Sequence, residues 1–130
     1  MSSYLNIYVK PKTKDSKPLL LTSFSRSSDV YQQFNEEFDL YSSTGELKEI
    51  TDSMMNTLEN NLAKEINQCK NRYCTYLEAK DKADIEDITS IKEYIYDLEY
   101  CKTQIAFIQD IVWSCESDNS DFEKVLAYID

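Results

Sequence analysis

The chain reads as an α+β protein. An N-terminal β-hairpin and a short helix pack on the base of a long antiparallel two-helix hairpin, and a short C-terminal helix closes the fold. Three observations predict this. Apolar residues recur every three or four positions through two stretches between Thr51 and Ser117. Side chains alternate with period two over 4–9. A Lys- and Pro-rich stretch, 10–18, separates that segment from a second β-prone one.

The helical hairpin organises the rest. Its second arm carries Ile91, Tyr94, Leu98, Cys101, Ile105, Ile108, Val112 and Cys115 on one stripe, and its first arm carries Met55, Leu58, Leu62, Ile66, Cys69, Tyr73 and Leu77. Folded back, they meet in one register: Met55 with Cys115, Leu58 with Val112, Leu62 with Ile108, Cys69 with Cys101 and Leu77 with Tyr94. Each arm is roughly 40 Å long at the α-helical rise. The acidic segment Asp81–Asp87 is the expected turn, and Ser90-Ile-Lys-Glu93 has the form of a capping box restarting the second arm.

Before the hairpin, Leu5, Ile7 and Val9 take the core face of a first strand, and Leu19–Phe24 forms the second. Ser25–Ser28 offers helix-start chemistry for a short helix with Val30, Tyr31, Phe34 and Phe38 on one face, ending near Asp39. Glu46–Ile50 reads as a third short strand, making the sheet three-stranded and antiparallel. Thr51 then caps the first long helix, with Ile50 and Met55 placed as a hydrophobic staple. At the other end, Ser120-Asp-Phe-Glu123 resembles a capping box, and Phe122, Val125, Leu126 and Ile129 fit a helical face. The 130 residues are expected to form one domain: a base (1–50), the hairpin (51–117), and a C-terminal helix (118–130) returning to the base.

Composition excludes several functions. The formal net charge of −10 argues against direct nucleic-acid binding, which needs clustered Lys and Arg. No apolar run approaches the ~20 residues of a membrane span, and the first residues lack a signal-peptide pattern, so a cytoplasmic location is expected. There is no histidine and only one glycine, which removes the usual general base, the commonest zinc ligand and the glycine-rich phosphate loops. No Ser-x-x-Lys spacing occurs, and 24 scattered acids single out no catalytic pair. The expectation is a protein that is not an enzyme and holds no cofactor or metal. A calcium loop starting at Asp81 fails because Ala83 and Ile85 stand where ligands are needed. Cys69, Cys74, Cys101 and Cys115 all sit in helical patterns, as buried reduced thiols do, with Cys69 and Cys101 close enough to oxidise.

Near its base the second arm is apolar almost all round, from Ile105, Ala106, Phe107 and Ile108 to Ile111, Val112 and Trp113. It should therefore be covered on every side. The distal half has no such cover, and Tyr73, Tyr76, Tyr94, Tyr96 and Tyr100 stand there among Asp81, Asp84, Glu86 and Asp87. These residues are the expected partner-binding site, because tyrosine supplies large, stiff, amphipathic contact area. Lys10, Lys12, Lys14 and Lys17 make a second, basic candidate for an anion or an acidic partner.

The expected function is that of a protein-binding accessory factor that self-associates. The Asn-, Lys- and Ile-rich, Ala- and Gly-poor composition is that of AT-rich coding sequence, which suggests a phage or mobile-element product, such as a host-directed inhibitor acting in the host cytoplasm. Two alternatives follow from the same residues. An acidic nucleic-acid mimic would need carboxylates along one face, and the arm lysines Lys64, Lys70, Lys80, Lys82, Lys92 and Lys102 interrupt one. A small-ligand (nucleotide) binder would use the lysine loop beside the β-hairpin. A virion structural component shares the features of the leading reading.

Overall fold

The computed structural model describes residues 3–40, 45–79, 85–117 and 121–130. The elements follow in the order β1 (Tyr4–Pro11), β2 (Leu19–Ser25), α1 (Asp29–Phe38), β3 (Lys48–Ile50), α2 (Asp52–Glu78), α3 (Ile85–Glu116) and β4 (Phe122–Ile129). The four strands form one antiparallel sheet ordered β2-β1-β4-β3. The fold is α+β, with the N-terminal hairpin and the two long helices where the sequence places them.

The C-terminal segment is the main correction: Phe122–Ile129 is a strand, not a helix. Its apolar residues fit both periods, and a short apolar run does not discriminate between them. The tertiary context decides. Val125, Ala127 and Ile129 are buried on the helix-facing side, opposite Val9, Ile7 and Leu5 of β1. On its other side β4 pairs with β3, Ile50 opposite Val125. Both rows of β4 backbone groups thus find partners, which an isolated two-turn helix would not gain. Ser120, the first residue of the expected capping box, lies outside the described residues. Of the expected strand Glu46–Ile50, Lys48–Ile50 is strand, but β3 pairs with β4 instead of extending the β1–β2 hairpin. Gly45 (φ 89°) makes the turn into it and donates its N–H to the Ile129 carbonyl (2.9 Å).

Helix boundaries have local causes. Ser28 caps α1, its Oγ accepting from the Val30 N–H (3.2 Å), and Asp39 ends that helix in the left-handed region at φ 48°. Thr51 caps α2, accepting from the Met54 N–H at 3.2 Å. Ile50 and Met55 are both buried, as a hydrophobic staple requires. α3 starts at Ile85, so Ser90 lies inside it and does not cap it. Asp81 and Asp84 lie outside the described residues. Glu86 and Asp87 are in the first turn of α3, where the helix dipole favours acids.

One core joins sheet and helices. Leu5, Ile7 and Val9 of β1 meet Val30, Tyr31 and Phe34 of α1, and the seam residues Met55, Leu58, Leu62 and Ile66 with Ile105, Ile108 and Val112. Burying each such side chain stabilises by about 1.5–3 kcal/mol. No described buried side-chain polar atom lacks a hydrogen-bond partner. Among the described residues, no helix is long and apolar enough to cross a membrane.

Candidate functional site

The core ends abruptly along the hairpin. Cys69 on α2 and Leu98 on α3 are buried, yet none of residues 70–78 and 86–97 is. The hairpin therefore continues past its root as an arm held by half-buried contacts. Ile88, Ile91 and Ile95 form the α3 side of that distal seam, while Tyr73 and Tyr76 continue the α2 stripe, both half-buried.

Tyr94 and Leu77 do not face each other across the seam; both are more than two-fifths exposed. A straight helix drifts against a strict heptad repeat, so by the distal end Ile95 has rotated inward and Tyr94 outward. The Tyr94 hydroxyl instead donates to the Glu65 carboxylate. That bond, with desolvation behind it, raises the phenol well above its ordinary range. Lys70 pairs with Glu99 across the arms at 2.9 Å.

The structure does not gather the predicted tyrosines into one patch. Tyr73 lines a groove with Ile95, Lys70 and Lys92, and Tyr76 lies beside Arg72 and Thr75. Tyr96 and Tyr100 are open, at 72% and 60% exposure. They share their α3 face with a residue assigned to the covered base: Phe107, 58% exposed. Trp113 is also uncovered, at 56%. The expectation that the apolar base of α3 is sheathed on every side thus fails at two aromatics, because the sheet and α1 take only the faces bearing Ile105, Ile108 and Val112. The signal was available. Phe107 follows Tyr96 and Tyr100 by eleven and seven residues, spacings that return to one helical face.

The lysines divide as well. Lys10 is half-buried and its Nζ lies 3.7 Å from Glu123. Lys12, Lys14 and Lys17 are exposed. Lys17 and Pro18 border a cleft of about 320 Å³ on the sheet face opposite the helices, walled by Tyr8, Tyr128 and Leu47. Tyr8 and Tyr128 were not legible together in the sequence, because they come to one face of adjacent strands, as diagonal neighbours, only when β4 is a strand.

An acidic cluster lies at the other end of the hairpin strands. Asp29 is raised above the usual carboxylate range by desolvation and then by the charges of Asp97 and Glu65. Burial, with Asp29 and Glu65 adding to it, pushes the Cys101 thiol up to about 12. None of the four cysteines is in a disulfide; Cys69, Cys101 and Cys115 are buried as expected, but Cys74 is exposed on the arm. Among the described residues, no group of three or more His, Cys, Asp or Glu side chains could hold a metal ion. No protein-family model matches the chain, and no curated protein or solved structure matches it.

Proposed function

We propose that the chain is a non-catalytic protein-binding factor that docks through the exposed face of α3 and the projecting end of the hairpin. The observation that carries this is the line of Tyr96, Tyr100 and Phe107, three large aromatics open to water on one face. Exposed aromatics in contiguous array mark interaction surfaces, and tyrosine and phenylalanine are enriched where interfaces bury fully. Glu86 and Asp87, exposed at the start of α3, give the arm an acidic end that would select a basic partner and set its approach. An accessory or inhibitory role toward a host protein is the form such a factor takes in a phage or mobile element.

The test is affinity capture from the native cells with tagged wild-type chain and with Tyr96→Glu/Asp87→Lys. Loss of the captured protein from the variant, at unchanged circular dichroism and melting temperature, is the expected result. An identical captured set from both chains overturns the reading.

A second reading, of a small-ligand binder, draws on the Tyr8–Tyr128 cleft with Lys17 at its rim. Two phenol rings and a lysine suit a planar ring carrying an anionic group. A nucleoside monophosphate that binds there raises the melting temperature with concentration, and Lys17→Ala diminishes the rise. A flat melting temperature across a nucleotide panel removes this reading.

A further inference from the structure

The two edges of the sheet are unlike. β3 is three residues long and carries Lys48 and Glu49. A short, charged strand is one way proteins keep an edge from pairing. β2 is the other edge, hydrogen-bonded only to β1. Its seven residues, Leu-Leu-Leu-Thr-Ser-Phe-Ser, include neither charge nor proline. It offers a row of outward N–H and C=O groups ~23 Å long at the strand rise. Leu19 and Leu20 are 54% and 57% exposed, and above the strand runs a groove lined by Thr22, Phe24, Tyr100 and Phe107.

Charge identifies the occupant. At the Leu19 end stands the loop with Lys12, Lys14 and Lys17, all exposed, which outnumber its one acid, Asp15. At the Ser25 end, α1 begins with Asp29, which feels the charges of Asp97 and Glu65. Arg26 also lies at that end, so the acids outnumber the base there. The edge is therefore polarised along its length. A strand carrying the same polarity fits it only when laid antiparallel, basic end on acidic end; laid parallel, like charges meet. A second copy of this chain has that polarity by construction, and a two-fold axis enforces the antiparallel direction.

We propose that β2 is the two-fold interface of a homodimer, pairing antiparallel with β2 of a second copy to give one eight-stranded sheet. The joint places Lys14 and Lys17 of each copy beside Asp29 of the other, and brings the Phe107 side chains toward the shared groove. The register of β2 against β1 shifts between Ile7 and Tyr8, leaving Leu21 as an extra residue. Such a bulge strengthens local twist, and symmetry gives both strands the same twist where they meet. Long-range repulsion between chains of net charge −10 opposes dimerisation, so complementarity at the joint has to overcome it. The inference goes beyond the arm reading: it rests on β2 and the charges at its ends, and shares with that reading only Tyr100 and Phe107 at the groove.

Sedimentation equilibrium of the intact chain at micromolar concentration tests it. The expected mass is twice the 15.2 kDa of one chain. Leu20→Lys/Ser23→Lys, two exposed positions on the edge, is expected to give a folded monomer with unchanged circular dichroism. Lys14→Glu/Lys17→Glu is expected to weaken association by at least about tenfold. Hydrogen exchange across residues 19–25 is expected to slow as wild-type concentration rises. A monomeric wild type overturns the proposal, including the case in which β2 captures an extended peptide from another protein. So does a dimer indifferent to both double variants. Tyr96→Glu/Asp87→Lys leaves the sedimenting mass unchanged, so failure of the arm reading and of this one are told apart.

Discussion

The root and the end of the helical hairpin are built from the same two helices on different principles. At the root, Met55 to Cys69 and Leu98 to Cys115 supply a buried residue at every turn of the seam, and the sheet adds a second wall. Past Cys69 and Leu98 the seam is half-buried isoleucine and tyrosine, and polar contacts such as Lys70–Glu99 and Tyr94–Glu65 take over. Exposed polar contacts contribute little each, about 0–1 kcal/mol for an ion pair. The comparison teaches where stability and recognition reside. The root holds the fold, and the arm presents side chains whose removal leaves the fold standing.

Thiol reactivity should show the largest contrast. Cys74 sits on the arm in the open, while Cys69, Cys101 and Cys115 lie in or beside the root core. Cys101 has its thiol pushed up to about 12, so near neutral pH its thiolate is depleted about a thousandfold against a free cysteine. Iodoacetamide under native conditions is expected to modify Cys74 first, with Cys101 slower by at least that factor. Peptide mass mapping of a time course checks this. Equal rates at the two sites would mean that the root opens as readily as the arm.

Next in size is a pair of truncations. Leu62→Ala removes a fully buried side chain from the root seam and is expected to cost about 3 kcal/mol, within the usual range for core leucines. Ile95→Ala, at the half-buried distal seam, is expected to cost about 1 kcal/mol. Urea unfolding followed by circular dichroism measures both. Equal costs would erase the distinction between root and arm. Thr51→Ala, which removes the oxygen accepting from the Met54 N–H, is expected to cost about 1 kcal/mol by the same assay.

How much of this was legible in the sequence varies by region for the same reason. The hairpin was readable because two long stretches repeat one period, and because the same register satisfies Met55 with Cys115 and Cys69 with Cys101. β4 was not, because Phe122, Val125, Leu126 and Ile129 suit a helix while Val125, Ala127 and Ile129 suit a strand. The decision belonged to the open row of β1 and to β3. Tyr96 and Tyr100 were legible as exposed aromatics on an arm with no cover. The exposure of Phe107 and Trp113 was not legible, since sequence shows that the base of α3 is apolar all round but not which sides its neighbours reach. The Tyr8–Tyr128 cleft and the bare β2 edge depend on strand order, which no local pattern encodes.

The smallest effect concerns the acids where the strand end of the sheet meets the hairpin. Asp29 is held above its ordinary value by desolvation and by Asp97 and Glu65. An acid whose folded value lies above its unfolded one binds protons more readily in the native state. Stability therefore falls as pH rises from the unfolded value through the raised folded one, and stays lower above it. Asp29→Asn removes that penalty. The group is exposed, so solvent screening limits the gain to well under about 1 kcal/mol, and the lost favourable interaction with the α1 dipole opposes it. Desolvation and the charges of Asp97 and Glu65 all raise the Asp29 carboxyl, and together they are expected to outweigh the dipole. Asp29→Asn is accordingly expected to melt slightly higher than wild type at pH 7, and the difference should vanish as pH falls below the carboxylate range. A variant that melts lower at pH 7 would place the dipole above the acidic cluster.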